Sequence, residues 1–162
     1  MRTPEWLEPM AATLTQERFA GEDWLFDQKF DGIRLLAYKT GPTVQLYSRN
    51  RLPQNLPEIS RAIANLPVAD AILDGEMSWD GRSYHVFDVL WLDGESMTSR
   101  PPEARRALLS NLPSRPPLHR VPLVNDDAPW ERASREGWEG VIAKRRGSPY
   151  EHRRSKHSLK MK

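Results

Sequence analysis

The run Gln28-Lys29-Phe30-Asp31-Gly32-Ile33-Arg34 sets a lysine between two apolar stretches, Trp24-Leu25-Phe26 before it and Leu35-Leu36-Ala37-Tyr38 after it. An ammonium taken out of water loses basicity, and a lysine without its proton is a nucleophile. Alternation of apolar and polar residues on both flanks predicts two strands joined at Asp31-Gly32, a turn dipeptide. Lys29 then sits where a strand meets a turn. Lys-x-Asp-Gly fixes only three positions, so the same residues also fit a decorated hairpin. The segments further along the chain weigh between the two readings.

Five of them carry groups with a chemical use. Ser48-Arg49-Asn50 ends an apolar run; Ser and Asn close strands as turn residues, and an arginine there can grip a phosphate through its planar fork. Asp74-Gly75-Glu76 puts two carboxylates in an apolar context, either as a tight hairpin with solvated acids or as buried groups that need partners. Tyr84 to Trp91 is apolar apart from His85 and Asp88, which predicts a central strand. Its aromatics are core or a platform for a base, and His85 reads as a satisfied strand histidine. Glu139 stands at the mouth of the apolar run Gly140-Val141-Ile142-Ala143 and can hold a hard cation. Lys160 and Lys162 are two residues apart, so on a strand both face one way. Two ammonium groups on one face repel unless an anion such as triphosphate lies between them. A nucleophilic amine, carboxylates for a metal, an aromatic for a base and cations for phosphates are the parts needed to attack the α-phosphate of a nucleotide.

These groups must be positioned by strands. The patterns predict strands at Trp24–Gln28, Ile33–Tyr38, Thr43–Ser48, Ala71–Leu73, Glu76–Trp79, Tyr84–Leu90, Val121–Val124 and Gly140–Ala143, and a strand-like alternation over His157–Lys162. Gly41-Pro42 and Asp80-Gly81 are turn signals between neighbours, which favours antiparallel pairing. Helices are predicted at Pro57–Leu66, Pro101–Leu112 and Pro129–Glu136, the second with a proline suited to the first turn. The result is an α+β domain of antiparallel sheets flanked by helices.

Composition narrows the class. The 162 residues suffice for one domain with a core. There is no cysteine, which excludes disulfides, thiolate metal sites and cysteine nucleophiles. No stretch is long and apolar enough for a membrane span, and the first residues lack the apolar run of a secretory signal, so a cytoplasmic protein without membrane contact is expected. Net charge is +2, but Lys144 to Lys162 carries +7 against an otherwise acidic chain. Lys144, Arg145, Arg146, Arg153, Arg154, Lys156, Lys160 and Lys162 are its basic residues. Such a segment points to a polyanion partner or to a solvated tail; the interleaved Tyr150, Leu159 and Met161 argue against plain disorder.

Taken in order, Lys29-Phe-Asp-Gly-Ile-Arg34, Ser48-Arg49-Asn50, Asp74-Gly75-Glu76, Phe87-Asp88-Val89-Leu90, Glu139-Gly-Val-Ile-Ala-Lys144 and Lys160-Met161-Lys162 resemble the motifs of the covalent nucleotidyltransferases, specifically the ATP-dependent DNA ligases. The run from Gly137 to Tyr150 most resembles the ligase domain of bacterial end-joining ligases. The resemblance implies an ATP-grasp-like nucleotidyltransferase fold, with residues 1–162 forming a single adenylation domain and the family's C-terminal OB-fold domain absent. It implies that Lys29 forms a lysyl-AMP phosphoramidate, that Glu76 holds the ribose and that Phe87 stacks on adenine. Arg34 would contact the sugar or the nick, and Arg49 the 5′-phosphate of the nick. Lys160 and Lys162 would contact the α-phosphate, and Asp27 and Gln28 lie where the family reads adenine. Glu139, with Asp31 and Asp74, would hold Mg²⁺ or Mn²⁺. Arg145, Arg146, Arg153 and Arg154 would meet DNA; Lys144 receives no role. The implied partners are nicked duplex DNA and a separate clamp or repair protein, with the chain itself a monomer. An RNA ligase, a capping-type guanylyltransferase and a non-catalytic DNA-binding remnant are the alternatives. Two departures from the pattern stand out: the spacing from Glu76 to Phe87 is short, and Leu159 occupies a position where tryptophan is common.

Overall fold

The computed structural model describes residues 2–124 and 126–162. In chain order its elements are β1 (Ala11–Leu14), β2 (Trp24–Lys29), β3 (Ile33–Thr40), β4 (Thr43–Tyr47), β5 (Pro53–Gln54), α1 (Pro57–Ala64), β6 (Asp70–Met77), β7 (Tyr84–Leu92), β8 (Glu95–Ser96), α2 (Pro102–Ser110), β9 (Leu118–Arg120), α3 (Pro129–Glu136), β10 (Gly140–Arg145) and β11 (Arg154–Met161). Among the described residues the strands form two sheets. The first runs β1-β11-β10-β2; the second runs β5-β4-β3-β6-β7-β8, with β9 added beside β7. Most pairs are antiparallel, as expected for an α+β chain, but β1 with β11 and β7 with β9 are parallel.

Period-two alternation decides which face each strand residue serves. On β3, Leu35 and Ala37 join a core with Ile59 and Ile63 of α1 and Leu109 of α2. Leu36 and Tyr38 point the other way and pack with Ile72, Trp91, Tyr150 and Met10. The first sheet buries Phe26, Val141, Ala143 and Met161 against Ala133 of α3. Prolines stand in the first turn of all three helices, where a missing N–H costs nothing.

Three expectations are corrected here. Asp31-Gly32 does not close a hairpin: β2 belongs to the first sheet and β3 to the second, so the chain crosses between sheets there. Gly32 is needed for close approach, since a Cβ on it would lie 2.1 Å from the carbonyl oxygen of Met77. Asp74-Gly75-Glu76 is no turn either, because β6 runs unbroken from Asp70 to Met77. A Cβ on Gly75 would meet the His85 carbonyl oxygen at 2.3 Å and the Tyr84 ring at 2.6 Å, so packing rather than turning demands glycine. The strand expected at Val121–Val124 is replaced by β9 just upstream, with only a bridge between Leu123 and Asp27. The other expected strands and all three helices fall within a few residues of expectation, whereas β1, β5 and β8 were not expected.

Candidate nucleotide-transfer site

A cleft of about 450 Å³ lies between the two sheets, within the range of small-molecule sites. Asp27, Gln28, Lys29, Lys144 and Lys160 line it from the first sheet, and Arg34, Arg49, Asp74, Glu76 and Phe87 from the second. Residues scattered over 130 positions of sequence therefore converge because β2, β10 and β11 face β3, β6 and β7.

Register explains the rim. Lys29, the last residue of β2, pairs with Gly140, the first of β10. Glu139 directly precedes Gly140, and its Oε2 lies 2.5 Å from Lys29 Nζ. The lysine side chain is 18% exposed and the glutamate 31%, so the amine faces the cleft rather than bulk water. Glu76, opposite Arg34 in the β3–β6 ladder, is pushed up to about 7 by burial, against the opposing pull of Arg34 and Lys29. Lys160 is held below the ordinary lysine value, first by burial and then by Lys162 and Lys29. Lys29 and Lys160 thus share the cleft lining, which suits a polyanion, whereas Lys162 is exposed just past β11 and outside that lining. Arg49 is exposed on the loop after β4, at the edge of the same cleft.

The floor is built differently. Asp74 is fully buried; Arg34 donates from Nε and Nη2 to its two oxygens, each at 2.6 Å, and Tyr150 donates to Oδ2 at 2.7 Å. Arg34 also donates to the Met10 carbonyl at 2.7 Å, and the Tyr150 hydroxyl accepts the Met10 N–H at 2.7 Å. Beneath Phe87 a second network joins both sheets. Arg105 of α2 donates to Asp88 of β7 at 2.7 Å, and Lys144 of β10 lies 3.1 Å from Asp27 of β2 and 4.0 Å from Asp88. Arg106 of α2 also pairs with Asp27. Burial pushes Lys144 down to about 8, opposed by Asp88 and reinforced by Arg106 and Arg105. The Lys144 ammonium lies 4.8 Å, and the Arg34 guanidinium 5.3 Å, from the centroid of the half-buried Phe87 ring.

The expected metal trio is not assembled. Asp74 has both oxygens engaged by Arg34 and Tyr150, and Asp31 is exposed and stands outside the cleft lining. Among the described residues no group of three His, Cys, Asp or Glu is placed to hold an ion. The basic C-terminal segment is also divided. Lys144 is buried in the floor. Arg145 pairs with Trp24, at the opposite end of β10 from Lys29, and Arg146 lies 4.0 Å from Glu103. Arg153 and Arg154 stand at the start of β11, beside Ala11 and Ala12; a bulge in β11 sets Arg154 opposite Ala11 and Lys160 opposite Leu14, so the two lie three β1 residues, roughly 10 Å, apart. The sequence reading missed Tyr150, Met10, Arg105 and Arg106. Arg105 and Arg106 sit on a helix whose other inward residues are apolar, which was the available signal.

Comparison with known proteins agrees with this architecture. The family model for the ATP dependent DNA ligase domain matches residues 9–82 and 79–162, and the chain belongs to that family. The chain is 32% identical to the multifunctional non-homologous end joining protein LigD of Pseudomonas aeruginosa, over 98% of this chain and 22% of that protein. It is 28% identical to the SPbeta prophage-derived DNA ligase-like protein LigB of Bacillus subtilis, over 94% of this chain and 66% of that protein. Among solved structures, mycobacterial DNA ligase D complexed with ATP and MES superposes with a TM-score of 0.78 at 28% identity, covering 95% of this chain and 59% of that one. The ligase domain of Mycobacterium tuberculosis LigD gives 0.76 at 29% identity, covering 96% of this chain and 59% of that one. The chain thus spans between a fifth and two thirds of the length of these relatives. Among the described residues no helix is long and apolar enough to cross a membrane.

Proposed function

We propose that the chain uses ATP to adenylate Lys29, passes AMP to the 5′-phosphate at a nick in duplex DNA, and seals the nick with the 3′-hydroxyl. The observation that carries this reading is the placement of Lys29 Nζ inside the cleft, 2.5 Å from Glu139 and sharing its space with Lys160. The amine attacks only without its extra proton, so the proton shared with Glu139 leaves before the P–N bond forms. As Nζ bonds to the α-phosphorus, the bond to the bridging oxygen breaks and pyrophosphate departs. A 5′-phosphate oxygen then displaces lysine from that phosphorus, and the 3′-hydroxyl finally displaces AMP.

Lys160 and Lys162 meet the phosphate charge that develops during transfer. Phe87 offers the base a ring, Asp27 and Gln28 its hydrogen-bonding edge, and Glu76 and Arg34 face the ribose. Arg49 reads the 5′-phosphate, while Arg145, Arg146, Arg153 and Arg154 give DNA more distant contacts. Glu139 is the leading metal ligand; Asp74 serves as the anchor for Arg34. Glu139 would hold a Mg²⁺ or Mn²⁺ ion, which would neutralise triphosphate charge. The domain acts as a monomer, and a separate protein can supply a clamp around DNA.

Intact mass after incubation with ATP and either metal tests the first step. A single AMP adduct that disappears in Lys29→Ala is expected; no adduct with either ion refutes the reading. Parallel incubation with GTP tests the capping-type alternative, which requires preferential guanylylation.

A further inference from the structure

Phe30 lies between Lys29 and the Asp31-Gly32 crossing, and its ring is stacked on His85 of β7 with centroids 4.0 Å apart and planes 10° apart. His85 is stacked in turn on His119 of β9, at 5.2 Å and 27°. His85 and His119 are register partners in the parallel β7–β9 pair. Three rings from three separate segments thus form one column, and the ligation chemistry above uses none of them. Burial, then the neighbouring His119, pushes His85 below the ordinary histidine value, so the middle ring is uncharged at neutral pH.

The column stands at a break in the strand ladders. β2 ends at Lys29 and β3 begins at Ile33, so the strand ladders do not cover residues 30–32. Lys29 is joined to the first sheet through its pairing with Gly140, while the next side chain, Phe30, grips the second sheet through His85. Adjacent Cα atoms are only about 3.8 Å apart. Fixing Phe30 therefore fixes the base of the Lys29 side chain relative to the second sheet, which carries Glu76, Arg34 and Phe87.

We infer that Phe30 and His85 form a clamp that positions Lys29 for attack, without touching the reacting atoms themselves. Nucleophilic attack needs near-attack geometry, and a displacement of about 1 Å costs up to about 10²-fold in rate. The clamp rests on the reading of Lys29 as the adenylated residue. Phe30 also lines the cleft, but the base, ribose and phosphate contacts proposed above lie on other residues, so the clamp predicts a defect in rate rather than in ATP affinity.

The test is single-turnover adenylation over a range of ATP concentrations, read by intact mass, alongside thermal melting. The variants are Phe30→Ala, Phe30→Tyr, His85→Ala, His85→Phe and the double alanine. Each single alanine variant should lose about tenfold in maximal rate at unchanged half-saturating ATP, a fraction of the penalty for full misplacement. The double variant should lose little more than either single one. Phe30→Tyr and His85→Phe, which keep stacked rings, should retain the unaltered rate. Full rate in both alanine variants overturns the clamp. A raised half-saturating ATP at unchanged maximal rate also overturns it, since Phe30 would then touch the nucleotide. So does failure of His85→Phe to preserve the rate while it melts normally. Should Phe30→Ala not fold, His85→Ala and His85→Phe decide the matter. No adduct on the unaltered chain refutes the ligase reading itself, whereas an adduct there with any of the overturning outcomes refutes the clamp alone.

Discussion

At the rim of the cleft, Lys29 and Glu139 pair at 2.5 Å with side chains 18% and 31% exposed; at the floor, Arg34 and Asp74 pair at 2.6 Å with side chains 18% and 0% exposed. The distances are nearly equal, but the surroundings are not. Asp74 has Arg34 and Tyr150 on its two oxygens, and the neighbouring Asp88 has Arg105 on both. Glu76, two residues beyond Asp74 on the same face, is left protonated up to about pH 7 by burial. Buried pairs such as Arg34–Asp74 hold geometry because removing one partner strands a charge. More exposed pairs such as Lys29–Glu139 contribute little to stability and remain free to exchange partners when phosphate arrives. The fold thus separates groups that shape the cleft from groups that react in it.

The largest expected effect comes from removing the reactive group. Lys29→Ala should abolish the AMP adduct while leaving the melting temperature close to that of the unaltered chain. Covalent labelling that persists in this variant would place the nucleophile elsewhere. Next, Asp74→Ala should destabilise by about 3–5 kcal/mol, because Arg34 is left without its carboxylate in the floor. Urea titration measures this, and a change under about 1 kcal/mol would show that the floor network does not carry the fold. Glu139→Gln should invert that pattern, lowering the adenylation rate about 10–100-fold with a stability change inside about 1 kcal/mol. A stability loss equal to that of Asp74→Ala would erase the distinction between rim and floor.

Glu76 sharpens the comparison through pH. Its folded value is raised to about 7, so between about pH 4.5 and 7 the folded chain binds more protons than the unfolded one. Stability then falls as pH rises through that window, the reverse of the usual carboxylate. Glu76→Gln should remove this component, leaving a flatter profile of unfolding free energy against pH. Identical slopes in the two proteins would mean that Glu76 is solvated in solution. The smallest effect is expected at Arg49. Its replacement by alanine should weaken nicked-DNA binding evenly across sequences and reduce the salt slope by about 1. An unchanged slope would remove Arg49 from the phosphate contacts.

Much of the rim was legible in sequence because each of its groups sits in a short local pattern. Lys29 precedes Asp31-Gly32, Glu139 precedes an apolar run, and Lys160 lies in the alternating run His157–Lys162. The floor was less legible because its pairs are long-range. Arg34 meets Asp74 across 40 positions and Tyr150 meets Asp74 across 76, and no local periodicity reports such partners. The same limit explains β1, a four-residue strand whose parallel partner lies at the other end of the chain. Asp31-Gly32 is a local turn signal, yet which sheets its flanking strands join is decided by Gly140 and Met77. Lys144 counted as surface charge in the sequence because its apolar neighbours Val141 and Ala143 did not reveal that Asp27 and Asp88 wait at the same depth.

The crossing at Gly32 has a mechanical consequence. With three residues between the strand that bears the amine and a strand of the facing sheet, any narrowing or widening of the gap reaches Lys29 through almost no intervening slack. A nucleotide seated against both walls would tune the aim of the very atom that attacks it. A spectroscopic pair placed across the two sheets should accordingly register substrate entry before any bond is made.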